Sequence, residues 1–471
     1  MLNYFPKYFA NRAISAYFIG LVGCFLAFFQ YSMWWFFYLT GIIAVVGFFY
    51  FSNFLTKKWR NILEKQFIRN VFVTALLLRL GWVVFSYFFW ISQTGTPFDW
   101  GAADAVGYNQ CGIEIAEFLH NRDWTCFKLY ADIMGISDAG YISYLGVLYW
   151  ITGNSVFIAR CLKALYGALT CILIYRLAKR NFGDSTARMA AIFCMLMPNF
   201  IVYCGYHLKE VEMQFLAMLF IEQSDLLLRQ AKMSVSRVIV CTAVGLSLFT
   251  LRTVLGAVAF LSVFTALILS SKKMMKSVKR VLLVIIFAVL LVLVVSDSIT
   301  KEVENIWSQS GTEMMQANLD YRATRAGGNA YVSKLNKFGF APIIFVIPFP
   351  TMTNVNMQPN QQMLNGGNFV KNITGFLTIL ALFFMLSKSK WREHVLPLSY
   401  MIGYLVVVAF SSFPQSERFH FPAVPIALMF AAYAVSQLKN KHKQWFGIWL
   451  IVLFVVIIIW NWFKLAGRGL I

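Results

Sequence analysis

The feature that most constrains this chain is a series of apolar runs, each about as long as a helix that crosses a lipid bilayer. The clearest runs are 33–51, 71–90, 281–295 and 445–460. A spanning helix needs roughly 20 mostly apolar residues. Because 59% of the residues are hydrophobic and only 13% are charged, a soluble core has no room for this much apolar surface. The sequence therefore predicts an all-α polytopic membrane protein.

The net charge of +21 is carried by lysines and arginines in short connectors between the apolar runs. Nucleic-acid binding would need these residues on one polar face, so the pattern argues against that function. Basic connectors face the cytoplasm, and the candidates are 57–69, 176–188, 229–237, 272–280, 388–392 and 439–443. Lys7 and Arg12 precede an apolar run that lacks a small-residue cleavage site, so we expect a retained helix and a cytoplasmic N-terminus.

Paired crossings follow from these anchors, and each pair turns on the outer face. The pairs are 187–205 with 209–228, 237–251 with 253–270, and 395–412 with 419–437. Two apolar segments, 141–151 and 341–350, are too short to span. We expect both as juxtamembrane helices, partly embedded at the outer face. The result is about 13 transmembrane helices, with the C-terminus outside.

This threading divides the chain into three parts and leaves two long polar loops outside. The parts are a two-helix extension over 1–70, a catalytic core over 71–437 and a C-terminal transmembrane helix over 438–471. The loops are 92–140 and 296–371. Long ordered loops tend to be functional, so we expect the chemistry there.

Most of the eight cysteines lie in apolar runs, and only Cys111 and Cys126 share a polar loop. In an oxidising compartment these two can form a disulfide. Sequence alone does not establish the geometry, so the question stays open.

Two aspartates, Asp99 and Asp104, follow directly after a crossing in the first outer loop. A carboxylate at the membrane surface escapes full desolvation. It can act as a general base toward an acceptor hydroxyl or amine, or bind a cation. The alternative is a solvated loop in which Asp104 caps the next helix.

Cationic residues recur at the predicted outer ends of the crossings. His207, Lys209 and Glu210 form one tight turn, Arg252 lies in another, and Arg160 falls near a third helix end. A lysine at headgroup depth can bind a phosphate as a point charge. The alternative is that these side chains only snorkel to the interface.

The densest cluster begins Pro414-Gln-Ser-Glu-Arg-Phe-His, at the predicted outer start of a crossing. Arg418 can hold phosphate oxygens bidentately, and His420 lies beside it. As an isolated pattern the cluster can equally be an interfacial anchor. Together with the first-loop carboxylates, these cations form the rim that a lipid-linked phosphate sugar requires at headgroup depth.

The order of these motifs resembles the GT-C superfamily of membrane glycosyltransferases, and more narrowly the protein O-mannosyltransferase and lipid A aminoarabinose transferase branch. The resemblance runs from about Val71 to Gln437. It is carried by Arg79, Asp104 with Tyr108, the run 145–153, Arg160, Lys209-Glu210, Leu251-Arg252 and the run 417–422.

The resemblance implies a fold, an activity and roles for residues. It implies Asp104 as catalytic base, with Lys209, Arg252 and Arg418 around the donor phosphate and Tyr108 supporting the loop. The mannosyltransferase branch often has an Asp-Glu pair here. Because Ala105 follows Asp104 in this chain, the base can instead be Asp99.

The implied reaction is an inverting displacement at the anomeric carbon of a polyprenyl-phosphate sugar, with polyprenyl phosphate leaving. The implied partners are that donor, a lipid, glycan or protein acceptor, and membrane lipids. Some relatives require Mg²⁺ or Mn²⁺ and others do not; Asp99 and Asp104 are the candidate ligands for such a cation. Compact loops favour a bacterial inner membrane with a periplasmic active site.

Three other functions compete with this interpretation. A transporter or flippase of lipid-linked sugars should carry ionisable residues in the middle of its helices, and Arg79 is the main such residue here. A polysaccharide polymerase or ligase would use a pyrophosphate donor and a broad acceptor cleft. A non-catalytic membrane scaffold stays open because fold does not prove activity.

Overall fold

The computed structural model describes residues 2–230, 234–270, 341–355, 359–388, 390–411 and 413–471, with a few positions between 316 and 331. The predicted connector 272–280, the predicted crossing 281–295 and much of the second loop lie outside the described residues. Within the described part, all regular secondary structure is helical.

Eighteen α-helices are described, together with short 3₁₀ turns. The helices are α1 (Lys7–Ala27), α2 (Trp35–Lys58), α3 (Glu64–Thr94), α4 (Ala103–His120), α5 (Cys126–Met134), α6 (Ile136–Thr152), α7 (Val156–Phe182), α8 (Asp184–Leu196), α9 (Pro198–Val202), α10 (Glu210–Arg229), α11 (Val235–Leu251), α12 (Thr253–Leu269), α13 (Pro359–Met363), α14 (Asn365–Ser387), α15 (Val395–Phe410), α16 (Glu417–His420), α17 (Val424–Ser436) and α18 (His442–Ala466).

Six of the described helices are long and apolar enough to cross a membrane: α1, α2, α3, α7, α14 and α18. The bent unit formed by α8 with α9 and the adjoining 3₁₀ turn makes a seventh. Shorter apolar helices are α11, α12, α15 and α17. The predicted all-α polytopic class is therefore supported, whereas the count of about 13 stays a prediction.

The helices pack as one continuous apolar core. Helix α7 contacts α3, α8 and α10, while α14 packs against α17 and α2, and α12 against α15. Helix α1 packs against α2 and α18, so the two ends of the chain lie together. Helix α3 is continuous from Glu64, so the predicted boundary at residue 70 falls inside a helix.

A bend of 52° separates α8 from α9, and proline chemistry explains it. Pro198 has no N–H, so the Cys194 carbonyl loses its normal helical donor. The guanidinium of Arg79 replaces it, donating to the carbonyls of Cys194 (3.2 Å), Met195 (3.3 Å) and Ala75 (3.1 Å). Arg79 is fully buried, and it stabilises the break in the bundle.

Helices α4, α5 and α6 form a layer beside the bundle, at the end where α3 ends and α10 begins; we call this the site end. Glycines allow α4 and α6 to approach closely. A Cβ on Gly146 would lie 2.2 Å from the Ile115 side chain, and one on Gly112 would lie 2.9 Å from Leu145. The predicted short segment 141–151 is thus part of a separate 17-residue helix.

The expectation of a second juxtamembrane helix over 341–350 was wrong. The segment has one 3₁₀ turn, Ala341–Ile343, and then an irregular, mostly buried chain through residue 355. Pro348 and Pro350 cannot donate backbone hydrogen bonds. The side-chain amide of Asn372 donates to the Pro348 carbonyl (2.9 Å), and that of Asn461 donates to the Pro350 carbonyl (3.2 Å). These side chains provide the hydrogen bonds that a helix would otherwise supply.

All eight cysteines are free, so Cys111 and Cys126 are not bonded in this structure.

Candidate active site

Residues from four separate segments meet at the site end around Arg418, in α16. Its Nε donates to Glu210 and its Nη1 to Asp104. The Arg252 guanidinium lies 3.9 Å from the same Glu210 oxygen. The structure thus brings together four of the predicted site residues.

Local sequence explains why two of these carboxylates are placed here. Asp104 lies in the first turn of α4 and Glu210 in the first turn of α10, where the helix dipole favours negative charge. Burial lowers the pKa of Arg418, but the charge of Glu210 and the hydrogen bonds to Asp104 and Glu210 outweigh it, so the pKa lies above its ordinary value. Glu210 is fully buried, whereas 58% of the Asp104 side chain is exposed.

Lys209 joins the loops of the site instead of pointing into open space. Its ammonium donates to Asp138 (2.5 Å) and to the carbonyls of Ser137 (2.8 Å) and Leu251 (2.5 Å). Burial lowers the pKa of Lys209, and Asp138 opposes that shift. All three ammonium donors are engaged, so the predicted contact with a donor phosphate would require one of these bonds to exchange.

Tyr108 reaches the same group, because its hydroxyl donates to Asp138 at 2.7 Å. Asp138 was missed in the sequence analysis. The sequence feature that indicates Asp138 is the position of a carboxylate in the first turn of an apolar helix, where the first polar loop ends. Tyr108 and Lys209 therefore both hold α6 through Asp138, and the loop-supporting role that the resemblance implies for Tyr108 stays a prediction.

The second aspartate, Asp99, lies in a different environment from Asp104. Asn360 donates to its Oδ2 at 2.7 Å and to the Trp100 carbonyl at 2.9 Å. Its Oδ1 is buried without a hydrogen-bond partner among the described residues. Burial raises the pKa of Asp99 to about 6, although nearby Arg160 and Arg418 act to lower it.

A cavity of about 250 Å³ connects Asp99 with Arg418. Polar side chains, aromatic rings and the irregular segment after residue 341 all contribute to its wall. The lining includes Asp99, Asn360, Glu417, Arg418, Trp460, Phe349, Tyr203, Tyr206, Gln361 and Asn368. Asn360 was not among the predicted site residues, and Glu417 stood only within the predicted cluster that begins at Pro414, without a role of its own. Nothing in their local sequence shows which distant segment they meet.

Glu417 is held by an ion pair with a residue of α14. Lys371, in α14, lies with its Nζ 3.3 Å from Glu417 Oε2. Both side chains are nearly inaccessible, at 6% and 5% exposed. The pair fixes the start of α16, and Arg418 is the next residue in that helix.

Arg160 and His420 contact backbone carbonyls, whereas His207 contacts a side chain. Arg160 donates to the Pro97 carbonyl at 2.6 Å, two residues before Asp99. His207 Nε2 lies 3.1 Å from the Tyr149 hydroxyl, and His420 Nε2 lies 2.7 Å from the Pro414 carbonyl. Burial lowers the pKa of both imidazoles well below the ordinary value, so both rings are neutral.

The two aspartates do not form a cation site together. Asp99 Oδ2 accepts from Asn360 and Asp104 Oδ2 accepts from Arg418. No group of three or more His, Cys, Asp or Glu side chains in the described part of the chain could hold a metal ion. These residues do not fit a protein-held Mg²⁺ or Mn²⁺, and we derive no step through one.

The fold and the site define a helical membrane protein that holds a buried carboxyl and an ion-paired arginine on one cavity wall. The model of the Alg9-like mannosyltransferase family, a membrane glycosyltransferase family of the GT-C type, matches residues 367–468. This segment includes most of α14 and all of α15 to α18, with Lys371, Glu417, Arg418 and Trp460. The predicted resemblance to the GT-C superfamily is confirmed by this match, which supports a glycosyltransferase. No curated protein sequence matches the chain.

Proposed function

We propose that the protein transfers a sugar from a polyprenyl-phosphate donor to an acceptor on the outer, periplasmic face of a bacterial inner membrane. The supporting observation is that one cavity is lined by both Asp99 and Arg418. A displacement at the anomeric carbon needs a base at the attacking group and a cation at the leaving phosphate. The basic connectors at the opposite helix ends favour a cytoplasmic N-terminus.

Asp99 is the better candidate for the base. Its pKa of about 6 keeps it mostly ionised at neutral pH while it still accepts a proton readily. Oδ1 has no hydrogen-bond partner within the described structure, so no protein donor competes with a substrate proton for it. Asp104, by contrast, is exposed and bound to Arg418, which leaves it poorly placed to take a proton.

In the proposed reaction, Asp99 removes the proton from an acceptor hydroxyl or amine as that group attacks the anomeric carbon. The bond between the anomeric carbon and the phosphate oxygen breaks, and its electron pair leaves on polyprenyl phosphate. Attack from the side opposite the leaving group inverts the anomeric configuration. The leaving group is a good one, so positioning and phosphate stabilisation contribute more than acid catalysis.

Arg418 stabilises the charge on the leaving phosphate. It is held by Glu210, which is buried, and by Asp104, which is exposed. The donor phosphate therefore replaces Asp104 on the guanidinium, while Glu210 keeps the side chain oriented. Arg252 lies over the Phe419 ring at 4.5 Å and adds positive charge on the Glu210 side.

The matched family is named for mannosyl transfer, so polyprenyl-phosphate mannose is the first donor to test. The test uses a panel of radiolabelled polyprenyl-phosphate hexoses and pentoses with protein reconstituted in vesicles. Asp99→Asn and Arg418→Lys should each lower turnover at least about 100-fold, since each removes an interaction made at the reacting atoms. Glu64→Gln, at an exposed pair with Lys179 far from the cavity, is the matched control.

Two results would contradict the proposal. One is that no donor in the panel is consumed by the unaltered protein. The other is that Asp99→Asn retains full activity. The main evidence for the rival transporter function was the position of Arg79 in the middle of a helix. The Arg79 guanidinium donates to three backbone carbonyls, so it is poorly available to a transported anion.

A further inference from the structure

The cavity wall carries polar atoms that nothing else in the described structure satisfies. Three buried acceptors have no hydrogen-bond partner among the described residues: Asp99 Oδ1, Asn360 Oδ1 and Glu417 Oε1. One buried donor, Trp460 Nε1, also has no partner among them. All four side chains line the same cavity. Buried polar atoms are rarely left unpaired, and each carries a desolvation cost until a partner arrives.

This mixture of acceptors and a donor selects a class of ligand. A phosphate oxygen only accepts hydrogen bonds, so it matches none of the three unpaired oxygens. A hydroxyl both donates and accepts, and a ring with several hydroxyls can satisfy this wall at several points. The rings of Trp460, Tyr206 and Phe349 in the lining offer apolar surface to the C–H face of such a ring.

Glu417 is the most buried of the three acceptors, with 5% of its side chain exposed. Its Oε2 lies 3.3 Å from Lys371 Nζ, while Oε1 has no hydrogen-bond partner among the described residues. Because Lys371 already balances its charge, the carboxylate needs a neutral donor more than a second cation. A hydroxyl therefore suits it better than the ammonium group of an amino sugar.

The position of Glu417 indicates whether it contacts the donor sugar or the acceptor. Asp99 must contact the attacking group and Arg418 the leaving phosphate, and an in-line displacement places the sugar ring between those two. Glu417 precedes Arg418 in α16 and lines the same cavity. It therefore lies beside the donor sugar.

We propose that Glu417 is a specificity-determining residue, accepting a hydrogen bond from one ring hydroxyl of a neutral donor sugar, and that Lys371 is the positioning residue that aims it. This inference rests on the proposed function, because it assigns the sugar side of the same site.

The experiment compares the donor sugar that the unaltered protein uses best with the full set of its monodeoxy analogues and with an amino-sugar analogue. The unaltered protein should discriminate against one deoxy donor by about 10- to 100-fold in kcat/KM, the range of a hydrogen bond to a charged group. In Glu417→Gln that discrimination should fall below about 3-fold, while discrimination at the other positions persists. The amino donor should be a poor substrate of the unaltered protein.

Glu417→Gln leaves Lys371 charged without its partner, so a second variant guards against misfolding. Glu417→Gln combined with Lys371→Met removes both charges, and it should show the same loss of discrimination with near-normal thermal stability. Lys371→Met alone should weaken the preference for the same hydroxyl, because Glu417 is no longer aimed. Glu64→Gln should keep the full preference.

The outcomes separate the inference from the proposed function. Turnover by the unaltered protein with deoxy discrimination that survives in both Glu417 variants overturns the inference and leaves the function intact. Preference for the amino donor overturns the assignment of a neutral sugar. Absence of turnover with every lipid-linked sugar overturns the proposed function, and the inference falls with it.

Discussion

Replacement of Asp99 by asparagine should stabilise the folded protein at alkaline pH while it removes activity. Burial raises the pKa of Asp99 from 3.8 to about 6, so the folded state holds the carboxyl proton more tightly than the unfolded state. Each pKa unit is worth 1.36 kcal/mol. The ionised carboxylate therefore destabilises the fold by at most about 3 kcal/mol.

The sign of the effect fixes its pH window. Below about pH 4 the carboxyl is protonated in both states, so Asp99→Asn gains nothing. Between about pH 4 and 6 the unfolded chain ionises while the folded protein keeps its proton, and stability falls as pH rises. Above about pH 6 the destabilisation is complete and constant. An asparagine at position 99 can still accept the hydrogen bond from Asn360. The substitution therefore removes the negative charge of the carboxylate and keeps the contact with Asn360.

The assay is thermal unfolding of the purified protein, followed by tryptophan fluorescence at pH 4.5 and pH 8. We expect Asp99→Asn to raise Tm at pH 8 by several degrees, and by only about a third as much at pH 4.5, because the difference in carboxyl ionisation between the two states is still small there. Asp104→Asn is the matched comparison, because Asp104 is exposed and paired with Arg418; it should give no gain at either pH. An equal loss of Tm at both pH values in Asp99→Asn would refute the account of a buried, destabilising base.

Three further predictions concern the base and the fold. Because Asp99 acts only when ionised, kcat/KM should rise about tenfold per pH unit up to about pH 6 and then level; a flat profile from pH 4.5 to 8 would exclude it as base. Gly146→Ala should destabilise the folded protein by about 1–3 kcal/mol, because the added methyl group would clash with Ile115. Gly81→Ala, in open space on α3, should not destabilise it. Equal Tm values for the two variants would contradict the close packing of α4 against α6. Arg79→Met should lower the stability of the fold by at least about 2 kcal/mol, because it leaves carbonyls at the bend unpaired. Arg69→Met, at an exposed position, is the control. An unchanged Tm in Arg79→Met would refute the role of Arg79 at the bend.

Hydropathy predicted the class of fold because membrane helices must satisfy their own backbone, which leaves composition as the main signal. The same logic failed at 341–350, where apolar composition suggested a helix. Pro348 and Pro350 remove donors, and the amides of Asn372 and Asn461 supply hydrogen bonds from distant helices. Nothing within the segment shows that those amides are nearby.

The charged residues of the site were predictable in part, since helix ends collect charges for local reasons. Asp104, Glu210, Arg252 and Arg418 all lie at or beside helix starts, and the structure brings them together. The partners that decide their chemistry were not predictable. Asn360 alone determines which oxygen of Asp99 is free, and it lies 261 positions away in the chain.

The helix bend shows the same division between local and distant information. Pro198 alone indicates a break in a helix, because proline lacks the N–H that the helix requires. Which side chain would repair the break depends on α3 packing beside α8, and only the folded structure shows that Arg79 fills this role. The intramembrane charge that favoured a transporter in the sequence thus has a structural explanation.

Sugar transfer yields two products, and following both in a single reaction tests the proposed function. Vesicles containing the protein are supplied with radiolabelled polyprenyl-phosphate mannose and an extract of acceptor lipids and glycans from the same type of membrane. We expect free polyprenyl phosphate and a mannosylated acceptor to appear in equal amounts. We also expect the new glycosidic bond to have the anomeric configuration opposite to that of the donor. Movement of intact donor between leaflets without release of polyprenyl phosphate, or a product of retained configuration, would contradict it.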